Sequence, residues 1–237
     1  KKYASFPVDL VVALGPPALD FIATYRDRIA PRSKIVFGLV SDPDLAEARL
    51  PAGDVAGIVS DYDVAKTLDL AVSLQPAARR IVVVSGSINY DKRLEEEARV
   101  ALEPLAGRYE VIYLDDLRFD QVLEAVSRLP ADSIVLILSY FADATGKRFV
   151  PREASGYIAR AATAPSYGPY DVFIGLGVVG GYTDTFESTG IALGKLALDM
   201  LAGRAAPGGD MRNPEHAFRV DARQMARWGL SEANLPP

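Results

Sequence analysis

Apolar residues along this chain follow two rhythms. Short, nearly unbroken runs fall at Asp9–Gly15 (DLVVALG), Lys34–Val40 (KIVFGLV), Val55–Ser60 (VAGIVS), Arg80–Ser85 (RIVVVS), Glu110–Leu114 (EVIYL) and Ser133–Ser139 (SIVLILS). Several show no polar alternation, the mark of strands buried on both faces of a helix-covered parallel sheet. Between the runs, apolar positions recur at helical spacing over Ala18–Ile29, Val64–Leu74, Asp91–Leu105, Phe119–Leu129, Arg152–Thr163 and Phe186–Ala202. Strand alternating with helix predicts an α/β fold built from right-handed crossovers.

The breaks have local chemistry. Pro76 and Pro130 each stand just beyond a helical stretch, where the missing N–H stops the ladder. Gly203 follows Met200-Leu201-Ala202, the place for a left-handed cap. Residues 204–214 are rich in Gly and Pro and read as a linker. A short strand, His216–Val220, and a helical turn around Ala222–Trp228 come next; neither an internal repeat nor a low-complexity tract is present.

Composition removes several classes of function. The 237 residues are 49% hydrophobic, enough for a large core or two small lobes. The net charge of −5, without a basic block, disfavours nucleic acid, whose phosphates need clustered Lys and Arg. Without cysteine there is no disulfide, thiolate chemistry or iron–sulfur cluster, and His216 as the single histidine excludes multi-histidine metal sites. No apolar run approaches the ~20 residues of a membrane span. The chain opens Lys1-Lys2-Tyr3-Ala4-Ser5 with no signal peptide, so an exported protein would already have lost its leader.

Motif matches are few. Gly175-Leu176-Gly177-Val178-Val179-Gly180 fits G-x-G-x-x-G after an apolar stretch, but Gly181–Thr185 looks like a turn or strand end and the clear helix starts later. Asp199 lies inside that helix, whereas a ribose-binding carboxylate should end a second strand. A glycine-rich crossing segment is the simpler reading. Gly146-Lys147 fails as a phosphate loop, with Phe141 and Arg148 where glycine and a hydroxyl are needed. Ser85-Gly86-Ser87 comes after a strand without the G-x-S-x-G elbow; with His216 a triad is formally open, against the commoner structural histidine. Asp115-Asp116 and the Asp61/Asp63 pair sit at strand-to-helix junctions, where helix caps outrank metal or acid–base pairs.

The residues just beyond the strands are more informative, because open α/β sheets bind ligands past their carboxyl ends. Those ends carry Gly15-Pro16-Pro17-Ala18, Ser41-Asp42, Ser85-Gly86-Ser87 with Tyr90, Tyr140-Phe141-Ala142-Asp143, and Tyr167-Gly168-Pro169-Tyr170, with Tyr182 further on. Tyrosines supply a stacking face and a polar tip, and helix N-termini hold anions. About half of these tyrosines are expected to touch a ligand and the rest to pack. The ligand-binding candidates are therefore Gly15, Pro16, Ala18, Ser41, Ser85, Ser87, Tyr90, Tyr140, Asp143, Tyr167, Tyr170 and Tyr182. No nucleophile–base pair is positioned among them, and neither a catalytic residue, a metal nor a cofactor is expected.

Taken together, DLVVALGPPAL (9–19), IVFGLVSDP (35–43), AGIVSDYDVAKTLDLAVSLQPAARRIVVV (56–84), Pro165-Ser166-Tyr167-Gly168, GVVGGYTDTFESTGIALGKLALDMLAGR (177–204) and FRVDARQMARWGLSEANLPP (218–237) resemble the type I periplasmic-binding-protein fold. The family is that of ABC-transporter solute-binding proteins that include aromatic amino-acid binders. The Tyr140–Pro151 stretch (YFADATGKRFVP) looks more like relatives that serve as sensor ectodomains of histidine kinases.

The resemblance implies two doubly wound parallel-sheet lobes joined by hinge crossings. Residues 1–60 with 177–205 would form the N-terminal lobe, and 61–176 with 206–237 the C-terminal lobe, the hinges closing on ligand. Family members begin with about two further strand–helix units, so the N-terminal lobe reads as truncated. The expected function is non-enzymatic, extracytoplasmic binding of a small solute. An aromatic acid or amino acid is favoured over a neutral sugar, for delivery to a membrane permease. The alternative is a sensor ectodomain passing occupancy to a histidine kinase. An α/β hydrolase, a nucleotide-dependent enzyme and a repressor effector domain rank below both.

Overall fold

The computed structural model describes residues 7–41, 55–60, 62–183, 185–204, 210–212 and 216–236. Two compact units emerge, residues 1–62 with 184–216 and residues 63–183 with 217–237. The candidates Asp42 and Asp61 lie outside the described residues, as does much of the 204–214 linker.

The first unit holds β1 (Leu10–Leu14), α1 (Pro16–Ile29), β2 (Lys34–Val40), β3 (Val55–Val59), α6 (Phe186–Leu201) and β9 (Asp210–Arg212). Its strands run parallel in the order β1-β2-β3-β9, with Leu10 opposite Lys34 and Ile35 opposite Val55. Unbroken apolar strands require cover on both faces, and β2 and β3 have it, while Val12 and Leu14 of β1 stay exposed. Leu19 and Ile22 of α1 pack with Ile35, Phe37 and Val59, while Leu193, Leu196 and Met200 of α6 pack with Val36, Ala56 and Ile58. Strand alternation sorts the two sets, since neighbouring residues point to opposite faces.

The second unit holds α2 (Val64–Leu74), β4 (Arg80–Val84), α3 (Asn89–Leu102), β5 (Glu110–Leu114), α4 (Phe119–Val126), β6 (Ser133–Ile137), α5 (Pro151–Ala161), β7 (Ser166–Tyr167), β8 (Gly180–Thr183), β10 (Ala217–Val220) and α7 (Ala222–Trp228). The six-stranded sheet runs β10-β8-β7-β6-β4-β5, parallel except for β10 against β8. The chain leaves β4 toward β5 on one side and leaves β6 toward β7 on the other. Right-handed crossovers then put α3 on one face and α4 and α5 on the opposite one. Between β4 and β6 the winding reverses, and this reversal positions the site.

Both sheets have the predicted α/β character. The glycine motif at 175–180 runs into β8 rather than a helix. A Cβ on Gly180 would lie 2.1 Å from the Arg219 carbonyl oxygen, so this glycine allows β10 to approach β8. Asp63 caps α2, accepting the Lys66 N–H at 2.9 Å, as expected for a junction aspartate. Asp115 and Asp116 depart from that expectation. The N-cap of α4 is Arg118, and both aspartates instead take the Lys92 ammonium, at 3.2 and 3.1 Å.

Candidate functional site

In a doubly wound sheet, ligands bind beyond the carboxyl ends of the strands, by the loops after the two strands that flank the reversal. Here those loops are Ser85–Ser87 after β4 and Ser139–Asp143 after β6. They are laced together by backbone hydrogen bonds: Gly86 N donates to Ser139 O and Ser87 N to Ala142 O, both at 2.9 Å.

A buried carboxylate completes the lacing. Asp91, third residue of α3 and fully buried, accepts the Ser139 hydroxyl and the N–H groups of Phe141 (3.2 Å) and Ile88 (3.4 Å). Ser85 Oγ donates to the Asp91 carbonyl oxygen at 3.0 Å, which ties that hydroxyl to the backbone and leaves it poorly placed as a nucleophile. Burial pushes the Asp91 carboxyl above the ordinary carboxylate range, only partly opposed by the Ser139 hydroxyl and the backbone donors.

Asp143 does comparable work on the other flank. It accepts the Thr145 hydroxyl (2.6 Å) and the N–H groups of Thr145 (2.9 Å), Lys147 (3.2 Å) and Phe119 (3.3 Å), the last at the start of α4. Burial pushes its carboxyl up, but these donors outweigh it and the net direction is down.

The tyrosines separate by exposure. Tyr140 and Tyr167 are 1% and 0% exposed. Tyr140 stacks among Phe119 (5.3 Å) and Phe149 (5.6 Å), its hydroxyl reaching the Leu117 carbonyl oxygen at 3.4 Å. Among the described residues the buried Tyr167 hydroxyl has no hydrogen-bond partner. Desolvation pushes both phenols well above their usual range. Tyr90 is half-buried, meets Phe141 edge-on (5.5 Å, 86°), and places its hydroxyl 3.0 Å from that of Tyr170. Tyr182 takes the Lys66 ammonium both at its hydroxyl (3.2 Å) and over its ring (4.3 Å), with Phe218 at 5.0 Å. The hydrogen bond to Tyr182 shifts the Lys66 ammonium upward.

On the first unit, Gly15 ends β1 with φ 80° and donates its N–H to Gly38 O at 2.9 Å. Pro16 and Pro17 come next, so Ala18 is the first residue of α1 that has an N–H to offer. Ser41 stands just past β2, the strand paired with β1.

Sequence reasoning therefore brought Ser85, Ser87, Tyr90, Tyr140, Asp143, Tyr167 and Tyr170 to one sheet edge. It passed over Asp91, Ser139, Phe141 and Lys66. Phe141 stands in the strand-end segment Tyr140–Asp143 and Ser139 ends the strand run before it, whereas Asp91 enters the sequence pattern only as the start of the helical stretch Asp91–Leu105. Among the described residues no cluster of His, Cys, Asp and Glu could hold a metal ion. No helix there is long and apolar enough to cross a membrane.

No protein-family model matches the chain, and no curated protein matches it. Solved structures do. A domain from Streptococcus pneumonia described as an ABC domain in complex with L-Trp superposes with TM-score 0.71 at 17% identity, over 99% of this chain and 79% of its own. A substrate-binding protein with adhesive properties from Clostridium difficile, in a ligand-free open structure, gives 0.68 at 19% identity, over 98% and 77%. A LacI family transcriptional regulator from Bifidobacterium animalis gives 0.57 at 14% identity, over 89% and 76%. The chain has the type I periplasmic-binding-protein fold, shared by solute-binding proteins and LacI-like regulators.

Proposed function

We propose that this chain is a non-enzymatic receptor for a small ring-bearing solute, an aromatic amino acid or aromatic acid in preference to a neutral sugar. The observation that carries the reading is the rim at the winding reversal of the second unit. There Tyr90, Phe141 and Tyr170 bring ring faces and a pair of hydroxyls to the carboxyl ends of β4, β6 and β7. Ring area supplies binding energy and a few fixed polar groups supply orientation. Ser85, Ser87, Tyr140, Asp143 and Tyr167 frame these rings; Tyr182 with Lys66 offers a further ring and a cation for a carboxylate. Gly15, Pro16, Ala18 and Ser41 stay candidates for ligand contacts by their place after β1 and β2. The L-Trp held by the Streptococcus pneumonia domain favours the same solute class.

Work outside the cytoplasm with an ABC permease accords with this reading. The sensor alternative keeps its support in the 140–151 stretch and would exchange the permease for a histidine kinase.

Thermal-shift titration against L-tryptophan, L-tyrosine, L-phenylalanine, aromatic acids and neutral sugars tests the proposal. A solute at 100 times its Kd should add about 2.7 kcal/mol of stability. Stabilisation by sugars alone, or by none of these compounds, would remove the aromatic-solute reading.

A further inference from the structure

We propose that Asp91 is the positioning residue of this candidate solute site, holding the segment after β6 against the start of α3 so that Phe141 and Tyr90 are presented together. The inference rests on the solute-binding reading above, and it concerns a residue that does not itself meet the solute. Asp91 has no exposed surface. Its two carboxylate oxygens nevertheless gather donors from three places: the Ser139 hydroxyl, the Phe141 N–H and the Ile88 N–H. Its backbone carbonyl oxygen takes the Ser85 hydroxyl. The packing is close enough that a Cβ on Gly86 would sit 2.2 Å from Asp91 Oδ2. Asp91 thus ties both loops of the winding reversal to the helix that carries Tyr90, the loop after β6 through its carboxylate and the loop after β4 through its backbone carbonyl.

Stability is a poor explanation for this group. The adjacent Lys92 ammonium goes to Glu95 (3.4 Å), Asp115 (3.2 Å) and Asp116 (3.1 Å), and among the described residues no cation pairs with Asp91. A buried carboxylate held by neutral donors alone costs desolvation that an apolar or amide side chain would avoid. Its upward-shifted carboxyl is the sign of that cost. What the carboxylate supplies is geometry: convergent acceptors for an N–H and a hydroxyl on a loop that would otherwise leave them unpaired.

The test uses the whole chain, with L-tryptophan as the probe, in the wild type, Asp91→Asn and Ser139→Ala. Calorimetry reads Kd, hydrogen exchange reads the amides of residues 140–142, and a thermal melt reads stability. Asp91→Asn should weaken L-tryptophan at least about tenfold and speed exchange of those amides by a similar factor. Its melting temperature should stay within a few degrees of the wild type, because loss of an unneutralised charge offsets loss of hydrogen bonds. Ser139→Ala should shift Kd and exchange the same way by about threefold.

A lowered melting temperature with Kd and exchange unchanged would show a merely structural residue and overturn the proposal. If Asp91→Asn does not fold, Ser139→Ala decides alone: unchanged Kd and exchange overturn it. If the wild type does not bind L-tryptophan, the solute reading fails for that ligand and exchange decides on Asp91. Faster exchange in Asp91→Asn supports the positioning role, and unaltered exchange overturns it.

Discussion

The hydroxyls of Tyr90 and Tyr170 meet at 3.0 Å, joining the helix after β4 to the segment after β7. Those strands are not neighbours, since β6 lies between them. The pair therefore spans the loop after β6, where Phe141 stands edge-on to Tyr90. Two phenols from separate elements, each able to donate and accept, thus meet beside the Phe141 ring.

That arrangement yields the first prediction. Tyr90→Phe and Tyr170→Phe each remove one hydroxyl and keep the ring. A neutral hydrogen bond is worth about 0.5–1.5 kcal/mol net, so each variant should bind L-tryptophan roughly two- to tenfold more weakly if the hydroxyls orient it. Calorimetry on both variants and on the double variant would also show whether the losses combine less than additively, as a contacting pair requires. Wild-type affinity in both singles would leave the hydroxyl pair as packing.

The second prediction separates Tyr167 from these two. Its buried hydroxyl has no partner among the described residues, so Tyr167→Phe should leave stability unchanged or raise it, since an unsatisfied buried donor costs about 1–3 kcal/mol. Tyr167→Ala should instead cost about 3–5 kcal/mol, because a fully buried ring leaves a cavity. Urea melts of the two variants would distinguish them. A loss in Tyr167→Phe as large as that in Tyr167→Ala would mean the hydroxyl is bonded after all.

The contrast between these tyrosines also marks what a sequence can disclose. Strands such as Ser133–Ile137 and helices such as Val64–Leu74 declare themselves through the spacing of apolar side chains, which depends on neighbours a few positions away. Placement of Tyr90, Tyr140, Tyr167 and Tyr170 near strand ends came from the same local pattern. Their roles did not, because exposure depends on which distant segment covers each ring: Phe119 and Phe149 cover Tyr140, whereas Tyr90 is met by Phe141 on one edge. Asp91 is the sharper case. An acid in the first turn of a helix is ordinary surface chemistry, and only the return of the chain at Ser139–Phe141, far along the sequence, buries it. Asp115 and Asp116 failed as caps for a like reason, since Lys92 reaches them from α3.

A third prediction concerns Gly86. A methyl group there would lie 2.2 Å from Asp91 Oδ2 and 2.9 Å from the Ala142 carbonyl oxygen, so one of the two loops must move. Gly86→Ala should cost about 1–3 kcal/mol of stability, the range for overpacking, and should disturb L-tryptophan binding more than stability alone explains. A denaturant series paired with calorimetry would read both. A fully stable variant with wild-type affinity would show that the loops have slack at this point.

The last prediction is a pair of opposite pH responses. Asp91 has its folded-state pKa raised by burial, so the folded protein holds that proton more tightly than the unfolded chain does. Its ionised form then works against stability above the raised value. That cost is relieved as pH falls through it toward the unfolded carboxylate pKa of about 3.9. Asp143 is the reverse: its donors lower the folded-state pKa despite burial, so its contribution is present above about 3.9 and is lost as pH falls toward the folded value. Melting temperatures of the wild type, Asp91→Asn and Asp143→Asn, tracked from pH 7 to about pH 2.5, should show this. The difference between Asp91→Asn and wild type should become less favourable to the variant as pH drops toward 4. The difference for Asp143→Asn should become more favourable to the variant below 4. Both carboxylates touch the same loop after β6, so parallel slopes for the two variants would mean that burial, and not the donor set, governs each of them.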